Sequence, residues 1–185
     1  MLAALQPALD HYTWRFMKKK NELVEVAIPT ADGEFVARYS ESGLCGLRFP
    51  GGRNGSRPEN GAGVSGQIRK WHERTVEGLS NALEGRDPKN LPPIDLSAGT
   101  EFQRRVWETM RTIACGRTLT YGEIAKRIGK PKAVRAVGGA CGANPVPVFV
   151  PCHRVLAANQ RLGGFSGGLD WKRRLLERES IKVLL

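Results

Sequence analysis

The hydrophobic pattern of this chain changes period once. That change limits it to a fold with a sheet-forming first half and a helical second half. Residues 23–28 read Leu-Val-Glu-Val-Ala-Ile and predict a strand, Ala31-Asp32-Gly33 a turn, and residues 34–39 a second strand with period-two alternation. Ser42-Gly43 turns the chain again into a third strand over 44–49, so a three-stranded antiparallel meander is expected. Residues 50–66, rich in Gly, Asn, Ser and Pro, predict a long exposed loop. Ile68, Trp71, Thr75, Leu79 and Leu83 then recur at helical spacing, and Gly85 supplies a stop. Residues 87–93 read as a linker.

Beyond the linker the chain changes character. Thr100 and Gln103 make a capping-box pattern ahead of Phe102, Val106, Met110 and Ile113. Thr120 with Glu123 caps a short helix carrying Ile124, Ala125 and Ile128; Gly129 ends it, and Pro131 is expected to open another helix running toward Gly142. Two short helices joined by a tight glycine turn have the outline of a helix-turn-helix. At 100° per residue, Val134, Val137, Gly138 and Cys141 share one face of the second helix, and Lys132, Arg135, Gly139 and Gly142 share another. A basic face bare of bulk lets backbone approach nucleic acid closely. The same residues also fit an ordinary solvated arginine with glycines used for packing.

Charge follows the same division. The 185 residues carry a formal net charge of +11. Residues 1–98 hold 13 basic and 12 acidic side chains, and residues 99–185 hold 16 and 6. An excess confined to one half points to a polyanionic partner for that half, with a basic solvated surface as the bland alternative. The four cysteines, Cys45, Cys115, Cys141 and Cys152, lack the paired spacing of a zinc knuckle or redox motif. His11, Cys45 and His72 could meet on a metal only from afar. No stretch approaches the roughly 20 apolar residues of a membrane span, and Pro7 breaks the opening apolar run, so no secretory signal is read. A reducing, intracellular (cytoplasmic) setting with no membrane partner is expected.

An apolar, proline-rich run, Asn144-Pro145-Val146-Pro147-Val148-Phe149-Val150-Pro151, delivers Cys152-His153-Arg154-Val155. A thiol attacks as thiolate, so a reactive cysteine needs a proton acceptor or a positive field, which His153 and Arg154 could supply. Neighbours on a regular strand face opposite ways, so His153 serves Cys152 only across a backbone bend or a bridging water. A buried, inert cysteine is the competing reading.

Pro-Cys-His-Arg-Val at 151–155, preceded by Asn144-Pro145 and followed by Gly164-Phe165-Ser166-Gly167-Gly168, resembles the active-site signature of the O6-alkylguanine-DNA alkyltransferases, also called methylated-DNA–protein-cysteine methyltransferases. The likeness runs from Phe102-Gln103 and Val106-Trp107 through Thr120-Tyr121-Gly122-Glu123-Ile124-Ala125 and 132–138 to Leu175-Leu176 and Glu179. It implies a ribonuclease-H-like α/β N-terminal domain over 1–94, built as a three-stranded antiparallel meander plus helix. A mainly α, winged-helix-like DNA-binding and alkyltransferase domain with a helix-turn-helix would follow over 95–185. It also implies direct-reversal repair, in which an alkyl group passes irreversibly from O6-alkylguanine in duplex DNA, or from O4-methylthymine, to Cys152.

The roles implied by the resemblance are specific. Cys152 would be the nucleophile, and His153, through a water and Glu179, would help form the thiolate. Tyr121 would donate to the departing guanine and crowd the 3′ phosphate. Arg135 would enter the duplex in place of the flipped base. Lys132, Ala133, Val134, Ala136 and Gly138 would bind DNA near the minor groove. Asn144 would be the hinge between recognition helix and active site, and Val155, Phe165 and Ser166 would line the guanine pocket. No cofactor and no metal is implied, and the protein is expected to act as a monomer.

Two departures stand out. Phe165 replaces the tyrosine of many family members, and the leader before Leu23 exceeds the family's usual start, reading as an extra helix or a disordered arm. Two other functions fit parts of the pattern: a non-catalytic lesion-binding or regulatory DNA-binding protein of the same fold, and a cysteine hydrolase using Cys152 and His153.

Overall fold

The computed structural model describes residues 14–16, 23–51 and 65–182. Four strands, β1 (Trp14–Phe16), β2 (Val24–Thr30), β3 (Gly33–Ser40) and β4 (Gly43–Arg48), form an antiparallel sheet in that order. The last three are the expected meander. The first corrects the reading of the leader: part of it is an edge strand, with Trp14 opposite Val26 and Phe16 opposite Val24. Three residues are too few to show a period, and what recruits them is the otherwise unpaired edge of β2.

Phe35, Ala37 and Tyr39 alternate inward along β3, and α1 (Gly66–Leu83) covers that face with Trp71, Thr75, Leu79 and Ala82. The Ser65 side chain caps the helix by accepting from the Ile68 amide. Tyr39 donates to Thr75 Oγ1 at 2.9 Å and lies 3.1 Å from His72 Nδ1 inside this interface. His72 is therefore a core residue, which burial pushes down to about 4, while Cys45 donates to the Arg38 carbonyl. His11 lies outside the described residues.

The far edge of β4 carries the chain toward the second half. The Leu44 amide donates to the Pro93 carbonyl, the Asp95 amide to the Leu44 carbonyl, and the Leu47 amide to the Pro145 carbonyl at 2.9 Å. A sheet edge thus holds the proline-rich run in place, because its unpaired groups need partners once buried.

Both expected capping boxes are present, on α2 (Glu101–Arg111) and α3 (Tyr121–Arg127). Gly129, at φ +73°, turns the chain out of α3 where a side chain would be strained. Pro131 does not open the next helix, since residues 131–133 are still in the turn and α4 (Val134–Gly142) starts three residues later. The backbone bonds Lys130 to Ala125 and Ala133 to Lys130 close that turn before helical geometry resumes. Trp107 Nε1 donates to the Ala140 carbonyl at 2.8 Å, locking α2 across α4. After α4 come a single 3₁₀ turn at Cys152–Arg154, a two-residue parallel pairing of β5 (Leu119–Thr120) with β6 (Val155–Leu156), and α5 (Leu169–Arg178). One buried apolar cluster includes Phe35 and Leu47 from the sheet as well as Val106, Ile124, Val137 and Leu175. Among the described residues no helix is long and apolar enough to cross a membrane.

Candidate active site

The outer surface of α4 is built as its sequence suggests, with one correction. Lys132, Arg135, Ala136, Gly139 and Gly142 are exposed, Ala133 and Gly138 half-buried, and Val137, Ala140 and Cys141 buried. Val134, placed on the inner face by the helical wheel, is 42% exposed. It is the first residue of α4. A Cβ added at Gly138, Gly139 or Gly142 would meet nothing within 4 Å, so these glycines are not packing contacts. They leave a smooth backbone surface beside Arg135 open to a ligand.

The C-terminus of α4 leads straight to the thiol. Asn144, buried just past the helix, donates through Nδ2 to the Val150 carbonyl at 2.7 Å and to Cys152 Sγ at 3.1 Å, while its Oδ1 accepts from the Val146 amide. The run between them is tightly wound. Val148 is buried at φ +78°, a conformation that β-branched residues rarely adopt, and the Cys152 amide reaches back to the Val150 carbonyl at 2.7 Å. The 3₁₀ turn at Cys152–Arg154 supplies the bend that lets consecutive side chains serve one site. Cys152, His153 and Arg154 are all buried.

Their electrostatics divide the work. Burial pushes the Cys152 thiol up to about 11, opposed by the Asn144 hydrogen bond and the Lys172 charge, so the resting sulfur holds its proton. His153 is lowered by burial and is neutral. Burial alone would raise Glu179, but the hydrogen bond from His153 and the hydrogen bonds and charge of Arg154 bring it down to about 2. Arg154 Nε sits 3.1 and 3.0 Å from the two Glu179 oxygens, and the Gly116 amide donates to Oε2. A carboxylate so held only accepts, so His153 Nε2, 2.8 Å from Oε1, carries the ring proton. The lone pair is then on Nδ1, a buried atom with no hydrogen-bond partner among the described residues. The site thus holds a buried proton acceptor on the residue that follows a protonated thiol in the chain.

Arg154 corrects the sequence reading. Its guanidinium binds Glu179, the Ile113 carbonyl at 2.6 Å and Asp87 at 3.3 Å, so it holds the carboxylate and does not face the sulfur. Glu179 gives the fold an acid limit. Its ordinary value of 4.5 in the unfolded chain falls to about 2 in the fold, so its stabilisation is complete above 4.5 and is lost as pH falls from there. Urea unfolding at about pH 5 and about pH 3.5 is expected to show the wild type losing about 1 kcal/mol more than Glu179→Gln.

Sequence reasoning missed Lys172. It is fully buried on α5, and its Nζ donates to the carbonyls of Val155 at 2.6 Å, Leu162 and Gly164. Burial lowers it to about 8. It ties the strand after Cys152 to the 162–164 loop, and its charge favours a thiolate. A lysine three and four residues before Leu175 and Leu176, on the helix's buried face, was the available signal. That loop positions the remaining candidates. Tyr121 is half-buried, its hydroxyl 3.5 Å from the Gly164 carbonyl, and a Cβ at Gly163 would lie 2.9 Å from its oxygen. Val155 is buried and Ser166 exposed. Phe165, half-buried, packs edge-on against Phe49 with centroids 5.5 Å apart, in a group with Phe35 and Trp171. Its ring is thus held by the first half of the chain.

Residues 101–181 match the family described as 6-O-methylguanine DNA methyltransferase, DNA binding domain. Curated relatives named methylated-DNA--protein-cysteine methyltransferase include those of Methanosarcina mazei, 51% identical over 104 residues, and Shigella flexneri, 45% identical over 111. These matches cover 55% and 58% of this chain, and 66% and 65% of those relatives' own length, just under two thirds. The Mycobacterium leprae relative of the same name is 44% identical over 132 residues, 71% of this chain and 74% of its own. A solved structure described as Mycobacterium tuberculosis OGT in complex with DNA superposes with a TM-score of 0.70 at 37% identity, covering 83% of this chain and 90% of that one.

Proposed function

The chain belongs to the methylated-DNA–protein-cysteine methyltransferase family, and from that premise we propose that it repairs O6-alkylguanine in duplex DNA by taking the alkyl group onto Cys152. The observation that carries this reading is a buried Cys152 thiol that accepts from Asn144, at the end of an exposed basic helix, and is followed in the chain by a neutral His153 oriented by Glu179. His153 accepts the thiol proton through a water. The sulfur attacks the alkyl carbon, the carbon–oxygen bond breaks, and its electron pair returns to the guanine, which takes up a proton assisted by Tyr121. Atoms balance without an oxidant, reductant or cofactor. The product is a thioether with no carbonyl for water to attack, so each chain acts once.

An alkyl group inside the stack is out of reach of a buried thiol, so the nucleotide must flip out, at a cost of a few kcal/mol. The exposed Arg135 fills the gap, and the bare glycines of α4, with Lys132, Ala133, Val134, Ala136 and Gly138, let the helix lie close against the minor groove. Val155, Phe165 and Ser166 border the guanine, and the relative solved with DNA supports that partner. Residues 95–185 form the DNA-binding part, winged-helix-like in its use of α4, and residues 1–94 the ribonuclease-H-like part. The protein works as a monomer, inside the cell with the DNA.

Intact mass spectrometry after incubation with an O6-methylguanine duplex tests the reading: one methyl group per chain, on the Cys152 peptide, is expected. An unchanged mass would leave the non-catalytic lesion-binding function in its place, and turnover of an ester without loss of thiol would favour a hydrolase. Arg135→Ala is expected to slow transfer from duplex DNA about tenfold while leaving reaction with free O6-methylguanine base near the wild-type rate, because only the duplex requires a filled gap. Equal losses on both would remove Arg135 from this role.

A further inference from the structure

The carboxylate that orients His153 stands at a place where helices fray. Glu179 is the residue capping α5, its amide bonded to the Leu175 carbonyl, and Ser180 beyond it has already left the helix at φ +60°. Arg154 and the Gly116 amide hold the carboxylate itself, and for it to meet His153 at 2.8 Å the helix end that carries it must be held as well.

The residue before Glu179 is gripped from two sides by the first half of the chain. Arg178 donates through both terminal nitrogens to the two oxygens of Asp32, each at 2.8 Å, across 146 residues of sequence. A paired fork of this kind fixes direction as well as distance. The Asp32 side chain is 17% exposed and that of Arg178 31%, so the pair is largely shielded. Asp32 is itself fixed in the β2–β3 turn, where its amide donates to Thr30 Oγ1. On the other side Gly85, at the end of α1 and at φ +74°, lets backbone meet backbone: a Cβ there would lie 2.0 Å from the Arg178 carbonyl oxygen.

We propose that Asp32 is a positioning residue for the chemistry at Cys152: by pairing with Arg178 it fixes the end of α5 so that the Glu179 carboxylate meets His153. The inference rests on the alkyl-transfer reading and deepens it, because it makes the N-terminal sheet part of the machinery that readies the thiol. Asp32 touches neither substrate nor sulfur. It acts on the maximal rate through the aim of Glu179, and leaves the guanine pocket, whose walls are set by Lys172, unaltered.

The experiment compares wild type, Asp32→Ala, Arg178→Ala and the double variant, below their melting temperatures. Two reagents are used: free O6-methylguanine base, and iodoacetamide, which alkylates the same sulfur with release of iodide. Modification is followed on the Cys152 peptide by mass spectrometry. Each single variant is expected to lower the maximal rate roughly three- to tenfold toward both reagents, with the half-saturating base concentration unchanged. The double variant should be no slower than either single one, as for two residues acting as a unit. Rates equal to wild type, additive losses, or a change confined to half-saturation would overturn the positioning role. A wild type that reacts with iodoacetamide but never with the methylated base or duplex would instead sink the repair reading.

Discussion

Replacing Cys152 by alanine or serine is expected to abolish alkyl uptake altogether, leaving the protein's mass unchanged after long incubation with a methylated duplex. The other thiols cannot substitute. Cys141 is buried, pushed up to about 12 by burial, and points at the Met110 sulfur at 3.5 Å. Cys115 donates to the Gly85 carbonyl, and Cys45 to that of Arg38 on the sheet. Only Cys152 has both an amide donor on its sulfur, from Asn144, and an oriented imidazole as its chain neighbour. Serine keeps the shape, but its hydroxyl is far harder to ionise than a thiol and is a poorer nucleophile toward an alkyl carbon. An adduct on Cys141, or a Cys152→Ala protein that still gains a methyl group, would overturn the assignment of the nucleophile.

The second large effect is structural. Glu179→Ala is expected to destabilise the fold by about 3–5 kcal/mol, because it strands the buried Arg154 guanidinium and leaves the Gly116 amide without its acceptor. Removing both charges is expected to cost less: Glu179→Gln combined with Arg154→Leu should be more stable than Glu179→Ala alone, since no buried charge is then left unpaired. Chemical denaturation midpoints at neutral pH decide this, and a Glu179→Ala protein within about 1 kcal/mol of wild type would show that the network is not what holds residues 113–116, 152–154 and 179 together.

Much of this protein is legible in its sequence for identifiable reasons. The strands over 24–48 and the helix over 66–83 are long enough for their periods to show, and the boxes at Thr100/Gln103 and Thr120/Glu123 are local chemistry that closes within one turn. Cys152, His153 and Glu179 were recognisable as a set through the family likeness of the second half, and of these His153 and Glu179 meet at 2.8 Å. Besides Val134, exposed in the first turn of α4, three readings failed where the decisive contact lies far along the chain or outside a helix's own period. The strand Trp14–Phe16 exists because β2 has an edge to offer. Pro131 sits in a turn that Lys130 and Ala133 close. Arg154 turns away from Cys152 because Glu179, Asp87 and the Ile113 carbonyl surround it.

Determined by the sequence alone, then, are the division into a sheet-forming and a helical half, the concentration of positive charge in the latter, and the thiol with its neighbouring imidazole. These depend on residue type and on spacings within a turn or two of backbone. Tertiary structure alone decided that burial raises the Cys152 thiol further above its ordinary value and that the imidazole's free nitrogen is Nδ1. It decided that a buried lysine binds the carbonyls of Val155, Leu162 and Gly164, and that Asp32 grips the residue beside Glu179. Each of these depends on burial or on partners brought together from distant parts of the chain, and desolvation and long-range pairing have no signature in local pattern.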